Sequence, residues 1–188
     1  MLHQEKRLIV VGTSCSGKTT LAGSIARIFE IKHIELDALF WRPNWTETPA
    51  DEFKFKVAQA IQRKSWVADG NYSPVRDMIW TRAQTLIWLN YSFTKIFSQA
   101  LYRTLKRALT AEKLFSGNRE SIRQSFFSSD SILLWVIKTY ARRKREYPLL
   151  FKELKYAHLK VIELHNQKQT DALLASYRTL SRMLNRLD

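Results

Sequence analysis

The sequence of 188 residues predicts a three-layer α/β/α fold with a five-stranded parallel sheet. Five short apolar runs alternate with helical patterns along the chain, and polar or glycine-containing segments follow the first three runs. Strands that alternate with helices form parallel sheets with both faces covered. Ligands of such sheets bind beyond the carboxyl ends of the strands, where we therefore expect the functional site.

The first half of the chain predicts three strands and two helices. Residues 8–11 and 33–36 read as strands, and apolar residues at helical spacing across 21–29 predict a helix between them. Thr48, Pro49 and Asp51 predict the start of a second helix, with Thr48 as its N-cap and an end near residue 63. Residues 66–68 predict the third strand.

The second half predicts two further strands and the helices around them. Residues 85–89 form a nearly continuous apolar run, which is typical of a buried parallel strand, and 159–164 predict the last strand. A long helix is expected over 93–109, a mobile polar loop over 111–130 and a helix from 131 that Pro148 ends. Residues 170–187 predict the closing helix.

The composition favours one globular domain over residues 1–188. Hydrophobic residues make up 45% of the chain, and no apolar run is long enough to predict a membrane span or a signal peptide. Cys15 has no second cysteine to pair with, which agrees with a cytoplasmic location. The net charge of +14 makes nucleic acid a possible partner, but cations are equally needed around nucleotide phosphates.

A phosphate-binding loop lies between the first strand and its helix. It has the pattern G-x-x-x-x-G-K-[ST], in which glycines let backbone N–H groups approach phosphate oxygens. The helix that follows adds free N–H groups and the positive end of its dipole. A lysine ammonium at its start can contact the β- and γ-phosphates, and a threonine hydroxyl can bind Mg²⁺. The predicted ATP-binding residues here are Gly12, Thr13, Ser14, Cys15, Ser16, Gly17, Lys18, Thr19 and Thr20.

Carboxylates follow the second and third strands. Phosphoryl transfer needs Mg²⁺ held beside the phosphates and an acceptor held in line with them. Asp69 is predicted to bind Mg²⁺ together with Thr19, with Asp37 and Glu35 as the other candidates for the metal. Asp37 is alternatively expected to hydrogen-bond the acceptor hydroxyl and to act as its base. An ordinary turn or helix cap is the structural alternative for Asp69, which precedes Gly70.

An aromatic segment follows the second strand and predicts an acceptor-binding region over about 37–64. An arginine between aromatic rings suits stacking on a planar group together with binding of an anion. The alternative is that these rings belong to the core, which is their commoner fate. The predicted acceptor-binding residues are Asp37, Phe40, Trp41, Arg42, Gly70 and Asn71, with Trp45 beside them.

Arginines cluster around the polar loop and predict a lid over about 111–147. Phosphoryl transfer needs a lid that excludes water and brings arginine to the phosphates. We expect at least one of Arg142, Arg143 and Arg145 to reach a phosphate, although a solvated helix face is the alternative. Other arginines are spaced four apart, and no histidine has metal-ligand spacing, so His33 and the other histidines are interpreted as structural. The spaced pairs are Arg103 with Arg107 and Arg119 with Arg123.

The whole chain resembles the small adenylate-kinase-related P-loop proteins that are labelled DNA topology modulation proteins. The resemblance rests on GTSCSGKTT at 12–20, HIELDALFWRPNW at 33–45, ADGNYS at 68–73, TLIWLNYS at 85–92 and WVIKTYARRKREYP at 135–148. It implies a nucleoside-monophosphate-kinase-like fold that binds ATP, an acceptor segment after the second strand and a helical, arginine-rich lid.

The resemblance also implies roles for individual residues. Asp69 matches the acid at the Asp-Gly strand end of adenylate kinases, near Mg²⁺ and the acceptor, and Arg103 and Arg107 resemble their paired ATP-site arginines before the lid. Adenylate kinases have Gly-Phe-Pro-Arg after that acid, whereas this chain has Gly-Asn-Tyr-Ser at 70–73. It also has Asn90 where relatives commonly have aspartate. An AMP acceptor is therefore not implied.

Together these features predict an ATP-dependent phosphotransferase with Mg²⁺ as cofactor and a small acceptor, possibly a nucleotide. Lys18 would stabilise the transferring phosphoryl group, and lid arginines would close over it. Two alternatives stay open at this point: a basic nucleic-acid-binding protein that uses ATP as a regulatory switch, and a nucleotide-binding module without turnover.

Overall fold

A computed structural model describes residues 5–110, 132–184 and 186. Its centre is a sheet of five strands in the order β2-β3-β1-β4-β5, and every neighbouring pair is parallel. This confirms the predicted sheet, and the predicted strands differ from the observed ones only at their ends. The strands are β1 (Arg7–Gly12), β2 (Lys32–Glu35), β3 (Trp66–Asp69), β4 (Thr85–Leu89) and β5 (Lys160–Leu164).

Helices connect the strands and cover the sheet. Within the described ranges, none combines the length and apolar character needed to cross a bilayer. Two single turns of 3₁₀ helix, Pro43–Trp45 and Leu154–Tyr156, lie in the connections. The α-helices are α1 (Lys18–Phe29), α2 (Leu36–Phe40), α3 (Ala50–Ala60), α4 (Ser73–Trp80), α5 (Phe93–Thr110), α6 (Ile132–Leu150) and α7 (Gln167–Leu184).

The two faces of the sheet form two separate apolar layers. In β1, Leu8 and Val10 pack with residues of α1, α5 and α7, whereas Ile9 and Val11 pack with α3, α4 and the end of α6. This alternation follows from the two-residue period of a strand, which sends successive side chains to opposite faces. Because both faces are covered, the predicted three-layer α/β/α architecture is confirmed.

The connection between β2 and β3 differs from its prediction. The aromatic loop contains the short helix α2 and a 3₁₀ turn, and α3 begins at Ala50 with Pro49 at its N-cap position. Thr48 is therefore not the cap. Its hydroxyl donates to the Leu39 carbonyl (3.1 Å) and its amide to the Phe40 carbonyl (2.8 Å), so that contact with α2 replaces capping.

Two helices also differ from expectation. The sequence analysis assigns no element to α4, although the Ser73-Pro74 pair opens it in the ordinary way, with proline in its first turn. Pro148 lies inside α6 and does not end it. Tyr147 is 3% exposed and packs against Trp80 and Trp88, so core contacts hold the helix across the proline. The predicted mobile loop, with Arg119 and Arg123, lies outside the described residues.

The register of the sheet brings three strand ends together. Asp69 is the partner of Val10 across β1 and of Glu35 across β2, and Gly12 pairs with Leu89 of β4. The phosphate-binding loop, the segment after β2 and the segment after β3 therefore leave the same edge of the sheet. This is the edge at which parallel sheets bind their ligands.

Candidate active site

The loop between β1 and α1 has a backbone that depends on glycine at two positions. Gly12 and Gly17 have φ angles of 150° and 94°. A Cβ on Gly12 would lie 2.9 Å from the Leu89 carbonyl oxygen, closer than real Cβ atoms approach. Helix α1 begins at Lys18, so its first N–H groups face the concave side of a loop built for an anion.

The side chains of the loop differ in exposure. Thr13 and Ser16 are buried, Ser14 and Cys15 are half-buried, and Thr19 and Thr20 are exposed in the first turn of α1. The Ser16 Oγ atom is buried and has no hydrogen-bond partner among the described residues. A phosphate group fits this loop because it would supply acceptors for hydroxyl and backbone donors together.

Lys18 lies at the centre of the site. Its Nζ donates to the Thr13 carbonyl (3.1 Å), which keeps the ammonium over the loop. Burial and then the charge of Arg143 lower its pKa to about 8, while the charges of Asp37 and Asp69 oppose that shift. These influences place Lys18 within electrostatic reach of one lid arginine and both strand-end aspartates.

Asp69 connects the loop to the strand beside it. The carboxylate is only 4% exposed, and its Oδ2 accepts a hydrogen bond from the Thr19 hydroxyl (2.7 Å). Its other oxygen lies 2.8 Å from His33 Nε2. His33 Nδ1 in turn lies 3.7 Å from Glu35, whose pKa is raised mainly by burial. A chain of polar groups thus fixes the aspartate from behind.

The predicted metal ligands meet the requirements of Mg²⁺. Among the described residues, no three His, Cys, Asp or Glu side chains form a group that could hold a metal by themselves. Mg²⁺ bound to a nucleotide needs no such cage, since it keeps several waters and phosphate oxygens as ligands. The adjacent Thr19 hydroxyl and Asp69 carboxylate suit that arrangement.

Asp37 lies in the first turn of α2, beside the loop. Its Oδ1 accepts a hydrogen bond from the Tyr72 hydroxyl (2.6 Å). Burial and the Asp37 charge raise the pKa of Tyr72 above its usual value, so this hydroxyl remains a donor. The second oxygen of Asp37 is thereby left for another donor, such as the hydroxyl of an acceptor.

The aromatic residues after β2 contact both the core and one another. Phe40 packs edge-on against Phe53 and lies beside Tyr72, and Trp41 packs edge-on against Trp45. Arg42 forms an ion pair with Glu52 of α3. The predicted acceptor-binding roles of Phe40, Trp41 and Arg42 stay predictions.

Gly70 and Asn71 complete the strand end after Asp69. A Cβ on Gly70 would lie 2.8 Å from the Leu36 Cβ, so glycine is needed for the close approach of α2. The Asn71 side chain accepts from the Gly12 amide (3.3 Å) and donates to the Gly12 carbonyl (2.6 Å). Its oxygen also accepts from the hydroxyl of Tyr147 (2.8 Å). Asn71 therefore links β1, β3 and α6.

The arginines of the predicted lid differ sharply in environment. Arg143 is 7% exposed and donates to the Thr139 hydroxyl (3.2 Å), and burial lowers its pKa. Arg142 and Arg145 are exposed on α6, and Arg142 lies 3.8 Å from Glu146. Of the three, Arg143 is the one whose charge acts on Lys18.

The two arginines of α5 are described to different extents. Arg103 is half-buried, and its Nε has no hydrogen-bond partner among the described residues. Arg107 lies in α5, but its side chain is outside the described part of the chain. Their ATP-binding roles stay predictions.

Sequence reasoning missed four side chains that surround this site. His33, interpreted as structural, contacts Asp69, and its alternation with Glu35 along β2 could have indicated a shared face. Tyr72 follows Asn71 directly in the strand-end motif, so its position was a usable signal. Tyr147 and Arg76, on α6 and α4, had no local pattern that distinguishes them.

The fold and the loop define a class, the P-loop NTPases with a kinase fold. No protein-family model and no curated protein matches the chain. Among solved structures it is similar to a gluconokinase from Sinorhizobium meliloti 1021, with a TM-score of 0.52 and 15% identity over 100% of this chain and 99% of that one. A candidate kinase from Chloroflexus aurantiacus J-10-fl has a TM-score of 0.50 and 18% identity, over 94% and 98% of the two chains.

A shikimate kinase from Bacteroides thetaiotaomicron has a TM-score of 0.48 and 16% identity, over 96% of this chain and 98% of that chain. At such identities the comparisons establish the fold and leave the reaction to be argued from the site.

Proposed function

We propose that the protein is an ATP-dependent phosphotransferase that uses Mg²⁺ and a small-molecule acceptor. The observation that carries the proposal is the meeting of four charged groups around one phosphate-binding loop. Lys18 is within electrostatic reach of Arg143, Asp37 and Asp69, which come from three different segments. A binding module that only holds a nucleotide has no need of a second carboxylate beside the donor phosphates.

The donor half of the site consists of the loop and its metal ligands. Backbone N–H groups between Gly12 and Lys18 bind the phosphate chain, and the Lys18 ammonium contacts the β- and γ-phosphates. Thr19 and Asp69 would hold Mg²⁺, which supplies positive charge to the phosphate oxygens when bound. His33 keeps the Asp69 carboxylate turned toward Thr19.

The acceptor half lies on the side of α2 and β3. The acceptor hydroxyl donates to the free oxygen of Asp37, and its oxygen attacks the γ-phosphorus of ATP in line with the bond to the β–γ bridging oxygen. That bond breaks, ADP leaves, and Asp37 takes the hydroxyl proton. The Tyr72 hydroxyl fixes Asp37 in this role.

Arg143 supplies positive charge from α6. It is buried on the side of Lys18, whereas Arg142 and Arg145 face solvent. A guanidinium in a water-poor site stabilises charge on the transferring phosphoryl group more strongly than one in water. We therefore propose Arg143 as the lid arginine that contacts phosphate.

The structural neighbours support this proposal at the level of reaction class. Two of the similar structures with TM-scores of 0.52 and 0.50 are a gluconokinase and a candidate kinase. The sequence resemblance to the group labelled DNA topology modulation proteins supports an adenylate-kinase-like arrangement, and membership of that group stays a prediction.

A second candidate function is a basic nucleic-acid-binding regulator that uses ATP as a switch. The net charge of +14 and the exposed cations of α6, among them Lys138, Arg142 and Arg145, favour it. Such a protein would bind DNA or RNA with an affinity that falls steeply as salt rises. Absence of binding at low salt would remove this candidate.

Substitution of Lys18 tests the proposed function. Lys18→Ala should abolish ATP turnover while the circular dichroism spectrum and melting temperature stay close to those of the parent protein. Lys54→Ala, which removes an exposed lysine from α3, is the matched control and should turn over ATP normally. Undiminished turnover in Lys18→Ala would refute the proposal.

A further inference from the structure

A cavity opens beside the acceptor half of the site. Its polar lining comes from Arg76, Asn71, Tyr72 and Tyr147, and Gly70 contributes backbone. Apolar residues of the sheet and of α4 form the remaining wall. The space measures about 270 Å³, including solvent at its mouth, which suits a small molecule or one end of it.

Arg76 brings a positive charge to this cavity without a carboxylate partner among the described residues. Its guanidinium carbon lies 5.6 Å from the centre of the Trp80 ring. Stacking on a ring uses the face of the guanidinium and leaves its N–H donors, which lie in the guanidinium plane, available. The half-buried Arg76 is therefore held in place but has donors to spare.

The neighbouring acid does not neutralise this arginine. Asp77 follows Arg76 on α4, and adjacent helix positions face different directions. Both oxygens of the Asp77 carboxylate already accept hydrogen bonds, one from Lys155 (3.0 Å) and the other from the Tyr156 hydroxyl. The charge of Arg76 instead reaches Tyr147, on the opposite wall of the cavity.

The cavity is joined to the proposed reaction centre through one side chain. Tyr72 lines the cavity, and its hydroxyl donates to Asp37 (2.6 Å). A molecule that reaches from Arg76 past Tyr72 therefore arrives at the carboxylate proposed to accept the hydroxyl proton.

We propose that Arg76 and this cavity form an anion subsite for the acceptor, which is a small molecule with a hydroxyl group and a carboxylate or phosphate group. The proposal rests on the phosphotransferase function argued above. It assigns the acceptor's charge to Arg76, a position that no sequence pattern indicated, and it explains how an acceptor can be held when Arg42 is paired with Glu52.

The five glycines of the chain allow a test that does not require the acceptor to be known. Protein labelled with ¹⁵N-glycine gives at most five backbone glycine resonances, of which Gly70 reports on the cavity and Gly12 and Gly17 report on the phosphate-binding loop. A non-hydrolysable ATP analogue with Mg²⁺ is added first. A shift of Gly12 and Gly17 tests nucleotide binding, and hence the proposed function, separately from the cavity.

Inorganic phosphate and, in a second arm, malonate are then titrated into the analogue-saturated protein. A saturable shift of Gly70 is expected in at least one arm, and the arm with the tighter binding distinguishes a phosphate from a carboxylate acceptor. Arg76→Met should weaken this binding roughly 10- to 100-fold, as expected for loss of a charge-assisted hydrogen bond. Arg82→Met, an exposed arginine just beyond α4, is the matched control and should keep the binding.

The proposal is overturned if Gly70 does not respond to either anion, or if Arg76→Met binds the anion as tightly as the parent. Arg76→Lys keeps the charge without the planar fork, and an intermediate affinity in it supports a direct contact. The nucleotide-induced shifts of Gly12 and Gly17 should be the same in all three variants, which separates loss of the subsite from loss of the fold.

Discussion

Lys18 carries a prediction about pH. Burial and the Arg143 charge lower its pKa to about 8, so the free protein loses the ammonium as the pH rises above that value. Phosphate binding requires the ammonium. ATP affinity should therefore be constant below pH 8 and then fall by up to about tenfold per pH unit, since binding takes up one proton.

Titration of a fluorescent ATP analogue between pH 7 and 9.5 measures this slope. Lys18→Arg keeps its charge throughout the range and should show a flat profile. An equal slope in both proteins would assign the titration to another group and contradict the account of Lys18.

Asp69 carries a prediction about Mg²⁺. Asp69→Asn keeps the shape of the side chain but removes the charge beside Thr19, so roughly 10- to 100-fold more Mg²⁺ should be needed for half-maximal turnover. Measurement of ATP turnover against Mg²⁺ concentration tests this, with the exposed Asp51→Asn on α3 as the control. An unchanged Mg²⁺ requirement would place the metal elsewhere.

At this scale the sequence identified the residues whose chemistry is written in a local pattern. Lys18 and Thr19 belong to the loop motif, and Asp69 precedes a glycine at a strand end. The contacts of His33 and Tyr72 with these aspartates depend on the pairing of β2 with β3 and on the position of α2, and a local pattern contains neither.

The contact between the phosphate-binding loop and helix α6 is the central feature at the scale of elements. Asn71 bonds to both backbone groups of Gly12, and Tyr147 donates to the same amide oxygen. Tyr147 lies one turn after Arg143 on α6. The Asn71 side chain therefore holds the helix that carries Arg143 at a fixed position relative to the loop.

Tyr147→Phe removes the hydroxyl but keeps the packing of the ring. We expect the Gly12 amide resonance to shift, and kcat to fall while the affinity for ATP changes little, because the loop stays intact and Arg143 loses its fixed position. Glycine-selective NMR and steady-state kinetics measure the two effects.

Tyr91→Phe is the matched control, since it also removes a buried hydroxyl, one that bonds to Thr170 (2.5 Å). It should lower stability without moving the Gly12 resonance. If both variants change kcat equally, the contact of Tyr147 with Asn71 has no special role in catalysis.

Element boundaries were predictable where a local pattern controls them and wrong where tertiary contacts do. The strands followed from apolar runs with turn residues on either side. Thr48 has the right chemistry for a cap, but its hydroxyl bonds to Leu39 of α2 instead. Pro148 removes one helical hydrogen bond, yet the packing of Tyr147 on the core carries α6 past it.

The whole molecule is a parallel sheet whose carboxyl edge collects the functional groups. The alternation of strands and helices made this edge predictable, because parallel strands end on the same side. The acceptor could not be predicted in the same way. Its pocket is built from α2, α4 and α6, and only the packing of these helices brings Arg76, Tyr72 and Tyr147 to one cavity.

The central claim is that the γ-phosphoryl group of ATP moves to a small acceptor at this edge. The most direct measurement is incubation with γ-labelled ATP, Mg²⁺ and pools of hydroxylated small molecules that carry a carboxylate or phosphate, followed by mass spectrometry of the labelled product and assay of ADP. We predict one ADP for each labelled acceptor molecule, and neither product with Lys18→Ala. ADP release with the label only in inorganic phosphate, or label transfer that Lys18→Ala does not reduce, would contradict the claim.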